Sequence, residues 1–147
     1  MSATHFSGPL VVGTGSYESV ITTKTLSAAD DGKVLGLNLA GGFTVTLPSV
    51  SGAIATAGMT FTFRVETQPT TAYIITEGAG DANIIIGGFA TADVIDVAAA
   101  PSTTGATNVN LVASVADVGD HFTLTCNGTS WFLSDAWIST KESATLT

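Results

Sequence analysis

Enzymatic chemistry needs a nucleophile, a base or a metal-ligand set held close together, and this sequence offers few candidates. His5 and His121 are the only histidines, and Cys126 is the only cysteine. Cys126 and His121 make the one nominal nucleophile–base pair, five residues apart in the alternating run "HFTLTC". Residues at that spacing on a strand point to opposite faces. If Phe122, Leu124 and Cys126 face a core, His121 faces away, and Cys126 reads as a small buried hydrophobe. A lone cysteine also excludes an intrachain disulfide and a cysteine-based metal site.

The carboxylates are no more suggestive. Asp30-Asp31-Gly32 has the chemistry of a turn, in which Asp bonds its own backbone. Asp93 and Asp96 flank a short apolar segment, and Asp117 and Asp120 bracket Gly119. Calcium would want several such oxygens converging at glycine-bounded loops, and no EF-hand-like spacing is present. "GTG" and "GAGD" lack both the dinucleotide pattern and a Walker lysine. "NGT" at 127–129 matches a glycosylation sequon, but a hairpin turn uses the same residues. The reading is a protein without catalytic residues, cofactor or metal.

Aromatic side chains are the remaining candidates for recognition. Alternation sets Trp131 and Leu133 on one face of a strand and Phe132 and Ser134 on the other, with Trp137 near its end. One tryptophan is expected in the core and the other half-buried. Tyr73, Phe132 and Trp137 are the possible interface aromatics, since rings with one apolar and one wet side favour interfaces.

Strands must position all of these. "FTVTL" at 43–47, "MTFTFRV" at 59–65 and "HFTLTC" at 121–126 alternate with period two, inward Phe, Val, Leu and Met against outward threonine. Weaker strands are expected at 18–25, 33–39, 72–76, 83–86, 93–97 and 108–113. Between them lie Asp31-Gly32, Gly41-Gly42, Gly78 with Gly80, Gly87-Gly88 and Pro101 to Gly105. Asn127-Gly128 between two alternating runs signals a hairpin. No fixed repeat period is present, and the glycines and β-branched residues of 49–58 disfavour a helix there. The fold class is all-β, a single-domain antiparallel sandwich or barrel of jelly-roll type. Residues 17–138 form this domain. Residues 1–16 read as an extended N-terminal arm whose apolar Phe6, Leu10, Val11 and Val12 need something to dock on. Residues 139–147 read as a polar tail.

Composition narrows the partners. Charged residues are 11% of the 147, against about 25% in ordinary soluble domains, while threonine occurs 24 times. Lys24, Lys33, Arg64 and Lys141 are scattered among twelve acids, for a net charge of −8. That disfavours nucleic acid and anionic membranes, both of which need clustered cations. No apolar run approaches the roughly 20 residues that span a bilayer. The N-terminus has neither the basic region nor the apolar core of a secretion signal, so synthesis in a cytoplasm without a cleaved signal is expected. Threonine is a strong strand former, and a threonine face loses little hydration when covered.

The order "LSAADDGKVLGLNLAGGFTVTLPS", "AGMTFTFRV", "YIITEGAGDANIIIGG" and "GDHFTLTCNGTSWFLSDAW" resembles a β-rich module of tailed-bacteriophage virion proteins. In that module a Leu-Pro strand end precedes a Gly-x-x-Phe-x-Phe strand, and an Asp/Asn-Gly-x-x-Trp hairpin closes it. The opening "ATHFSGPL" is similar to the start of small capsid decoration (cement) proteins. Together these segments cover most of residues 3 to 137. The resemblance implies a homotrimer on the exterior of the virion head that bridges neighbouring major capsid protein subunits. It implies a capsid-contacting arm of Ala3, Thr4, His5, Phe6, Pro9 and Leu10. The same module occurs in head and tail fibres, so a trimeric knob binding host-surface glycan through Tyr73, Trp131 or Trp137 is the alternative. Fibre proteins are usually longer, with coiled-coil or shaft segments, and this chain has neither.

Overall fold

The alternating runs become strands in a computed structural model that describes residues 16–91 and 102–147. In chain order the strands are β1 (Tyr17–Val20), β2 (Lys24–Thr25), β3 (Val34–Leu37), β4 (Thr44–Thr46), β5 (Thr60–Val65) and β6 (Tyr73–Thr76). They continue as β7 (Ile85–Gly87), β8 (Ala90–Thr91), β9 (Ser102–Ala106), β10 (Asn108–Leu111), β11 (His121–Cys126), β12 (Trp131–Ile138) and β13 (Ala144–Leu146). One 3-10 turn, Ala28–Asp30, is the only helical element among the described residues.

Two open sheets share these strands. The larger has the order β1-β3-β5-β11-β12-β7-β9 with β8 also on β12, and the smaller has β13-β10-β6-β4-β2. The expected all-β sandwich is therefore present, and its sheets are mixed rather than purely antiparallel. After each of the first five strands the chain crosses to the opposite sheet. It returns beside the strand two before it, running in the same direction. Thus β1, β3 and β5 pair in parallel in one sheet, and β2, β4 and β6 do so in the other. A parallel pair needs a crossover connection, and here a strand of the facing sheet supplies it. Antiparallel pairing dominates the second half, where β11 is inserted between β5 and β12.

Both inner faces supply the core. From the larger sheet come Leu35, Leu37, Phe61, Phe63, Val65, Phe122, Leu124, Cys126 and Trp131; from the smaller come Val45, Tyr73, Ile75, Val109 and Leu111. Rings lock the middle of this layer. Phe63 stacks on Phe122 at 5.1 Å, Phe89 meets Phe122 edge-on at 5.6 Å, and Phe61 lies 5.7 Å from Trp131. Such aromatic pairs add about 0.5–1.5 kcal/mol beyond their area burial.

Several boundaries differ from expectation. The run at 18–25 is split because residues 21–23 carry the chain from one sheet to the other. Strand β9 occupies part of the Pro101 to Gly105 turn region. The expected polar tail is corrected. Its Ala144–Leu146 segment pairs with β10, and Ser143 and Ala144 are fully buried. The expected arm and the strand at 93–97 lie outside the described residues.

Candidate interaction surface

The hairpin that opens this surface is built by Asn127. Its N–H donates to the Ser130 carbonyl at 3.1 Å, and its Oδ1 accepts from the Thr129 and Ser130 N–H groups. Gly128 takes the first central position with φ +94°, the conformation a type II′ hairpin turn asks of glycine. The β11–β12 register that follows sets Thr125 against Phe132 and Thr123 against Ser134.

Strict alternation from buried Trp131 would turn Trp137 inward. The bulge prevents this. His121 pairs with Trp137 while Thr123 pairs with Ser134, so Asp135 and Ala136 together oppose Phe122. Asp135 holds φ +45°, as an extra residue in a bulged strand can. Beyond it, Ile138 is buried and Trp137 is 41% exposed.

The outer face of the larger sheet can then be read across the strands. One row runs Tyr17, Val34, Thr62, Thr123 and Ser134. The next runs Ser19, Gly36, Arg64, His121, Trp137 and Ala90. A third runs Thr60, Thr125, Phe132 and Ile86. The Val65 N–H bonds the Asp120 carbonyl and the Cys126 N–H bonds the Met59 carbonyl. These narrow pairs make the outward β5–β11 pairs the non-hydrogen-bonded kind, in which side chains approach most closely. Accordingly the Thr62 and Thr123 hydroxyls bond at 2.9 Å. The His121 ring stacks against Trp137 at 6.3 Å with the planes inclined by 24°, and its Nδ1 donates to the Gly119 carbonyl at 2.9 Å.

Across these three rows the single permanent charge is Arg64, and Tyr17, Phe132 and Trp137 are the exposed rings. At one border Tyr17 donates to the Glu66 carboxylate, which also accepts from Ser19 at 2.9 Å. The bond to Glu66, with burial and that carboxylate's charge, pushes the Tyr17 phenol up from its ordinary value. The smaller sheet's outer face is different in kind. There Thr145, Asn110, Ile74 and Thr44 form one row, and Asn108, Thr76, Thr46 and Thr25 another. Asn110 already donates to Thr145 and Thr147 hydroxyls.

The expected site residues separate clearly. Phe132 (40% exposed) and Trp137 stand on the surface. Tyr73 does not, and its expected place among the interface aromatics is corrected. It is fully buried, its ring edge-on to Phe43 at 5.0 Å, with the hydroxyl placed to donate to the Thr67 or Leu37 carbonyl and accept from the Leu39 N–H. Trp131 is likewise in the core. Cys126 is buried, its sulfur accepting from the Gly128 N–H, whereas His121 is on the outer face. Ala3, Thr4, His5, Phe6, Pro9 and Leu10 lie outside the described residues. Sequence reasoning did not single out Arg64 or Tyr17, although alternation through "MTFTFRV" already turns Arg64 outward with Thr60 and Thr62.

Titratable groups cluster elsewhere, as structure. Lys24 and Lys33 bridge Glu18 and Asp30 in a closed ring, with N···O distances of 2.7, 3.4, 2.8 and 2.6 Å. Burial alone would raise the Asp30 pKa, but the Lys33 ammonium, the Ser27 N–H and hydroxyl, and Lys24 outweigh it and lower it to about 2. Hydrogen bonds from Lys24 and then Lys33 likewise lower Glu18. Asp120 accepts from the Asp117 and Ser139 N–H groups, and Asp81 from those of Val50 and Ser51. These carboxylates are occupied by backbone and ammonium donors. No three potential metal-binding side chains converge among the described residues, and no helix there is long and apolar enough to cross a membrane. No protein-family model matches the chain, and no curated protein is similar to it.

Proposed function

We propose that this is a structural protein of a phage virion. It binds the outside of the head and stabilises the capsid lattice by bridging neighbouring major capsid subunits. The reading extends to a homotrimer whose Ala3–Leu10 segments contact the capsid. The observation that carries the reading is the larger sheet's outer face: three rows that hold four threonines and the exposed rings of Tyr17, Phe132 and Trp137, with one charge. Covering hydroxyls and methyls costs far less desolvation than covering lysine or glutamate, and aromatic and arginine side chains concentrate at interface cores. A glycan-binding knob would rest on Trp137 alone of its three expected aromatics, because Tyr73 and Trp131 are in the core.

The test adds purified protein to undecorated heads of the phage that encodes it and heats them. A ligand that prefers the assembled lattice raises its stability, so saturating protein should raise the temperature of DNA release. Phe132→Ser with Trp137→Ser should weaken that effect without unfolding the protein. Absence of binding by the wild-type protein would refute the reading.

A further inference from the structure

We propose that the Arg64, His121 and Trp137 row selects the docking partner by receiving an acidic side chain, the Asp or Glu carboxylate of a partner protein, on the Arg64 guanidinium. The inference rests on the assembly reading above and adds the chemistry of the contact.

Arg64 is exposed and makes no ion pair among the described residues. The other cations are engaged: Lys24 and Lys33 in the Glu18–Asp30 ring, and Lys141 in an interaction of its own. The nearest acid along the chain, Glu66, just past the end of β5, is held by the Tyr17 and Ser19 hydroxyls. Arg64 pairs across the strands with His121, which the Gly119 carbonyl fixes and Trp137 stacks upon. Arg64 therefore stands without an ion pair in the same row as the stacked His121 and Trp137 rings, and its charge also reaches Tyr17, where it partly offsets the effect of Glu66. An exposed guanidinium of this kind suits a carboxylate bound through two parallel hydrogen bonds. Threonine hydroxyls in the two flanking rows bring no competing charge.

Complementarity fixes the sign of the partner. The chain as a whole is acidic, at −8, so its long-range field does not draw in an acidic partner. Arg64 acts at contact distance, setting register and dissociation more than the rate of encounter.

The experiment measures binding of full-length wild type, Arg64→Ala, Arg64→Glu and Arg64→Lys to undecorated heads, with thermal unfolding of each variant as a control. Arg64→Ala should bind roughly 10- to 100-fold more weakly, as loss of a charge-assisted bidentate pair implies. Arg64→Glu should be weaker still, Arg64→Lys should keep part of the affinity, and all three should unfold at the wild-type temperature. Wild-type binding with Arg64→Glu within twofold of it overturns the carboxylate contact and leaves the assembly reading standing. No binding by the wild type overturns both. Arg64-dependent binding to a sialylated oligosaccharide, with head binding unchanged by Arg64→Glu, would also overturn it by making the ligand a sugar acid.

Discussion

Replacing Tyr73 by Phe tests the division between core and surface most sharply. The hydroxyl accepts from the Leu39 N–H at 3.0 Å and can donate to the Thr67 carbonyl at 2.9 Å or that of Leu37 at 3.1 Å. Its single proton serves one carbonyl at a time, so the substitution removes two hydrogen bonds. Each is worth roughly 0.5–1.5 kcal/mol net, and more if a partner is left dry. The bond to Leu39 is only partly buried, which keeps the cost near the lower bound. We expect a loss of about 1–2 kcal/mol, which for a chain of this size lowers Tm by about 3–8 °C. Thermal unfolding by calorimetry and urea titration should agree, with an unchanged m value. Binding to heads at 25 °C should match wild type, because the ring touches no surface. A Tm within 1 °C of wild type, or weaker docking with stability unchanged, would refute the placement of Tyr73 as a core strut.

Acid should weaken the fold through the lysine–carboxylate ring. The Asp30 pKa of about 2 lies below its unfolded value of roughly 3.9. The unfolded chain thus binds more protons between those values, and stability falls as pH drops from about 5 through 2. Asp30→Asn should remove up to about 2 kcal/mol at pH 7 and flatten the acid slope of urea midpoints measured from pH 7 to 2. Gly42→Ala should cost more than about 2 kcal/mol, because Gly42 holds φ +65° and an added Cβ would meet the Thr71 carbonyl; thermal unfolding reports it. Cys126 should resist a thiol reagent until denaturant unfolds the protein, since it is 1% exposed.

The sequence showed most of the strands and little of their arrangement. Alternation in "MTFTFRV" and "HFTLTC" located β5 and β11 and oriented every residue in them, because a half-buried strand leaves that period in the residue order. The same period is compatible with parallel and antiparallel neighbours, so the crossing of β1 to β6 between sheets was not legible. Sequence reasoning misreads Tyr73 and places Trp137 correctly, though strict counting along β12 argues against it. "AYIIT" is apolar at nearly every position, so nothing in its pattern says which side Tyr73 takes. Buried Trp131 predicts an inward Trp137 by counting, and only the bulge at Asp135, invisible in composition, reverses it.

That bulge also explains how one hairpin can anchor both ends in the core and still present a tryptophan to solvent. Trp131 and Ile138 mark the ends of β12 and both are buried, yet they are seven residues apart, a spacing that unbroken alternation would place on opposite faces. The inserted residue lets both ends anchor in the core and frees Trp137 for the surface beside His121. Deleting Asp135 should restore plain alternation. Trp131 and Ile138 would then stand six residues apart, both still inward, with Trp137 still outward, so the deletion should be tolerated. Asp135→Val should instead cost about 1–2 kcal/mol, because a β-branched residue is poorly accommodated at φ +45°, whereas Trp137→Ser should leave Tm nearly unchanged because that ring already stands in solvent. Equal stability of Asp135→Val and the wild type would mean that the bulge does not hold the register of β12.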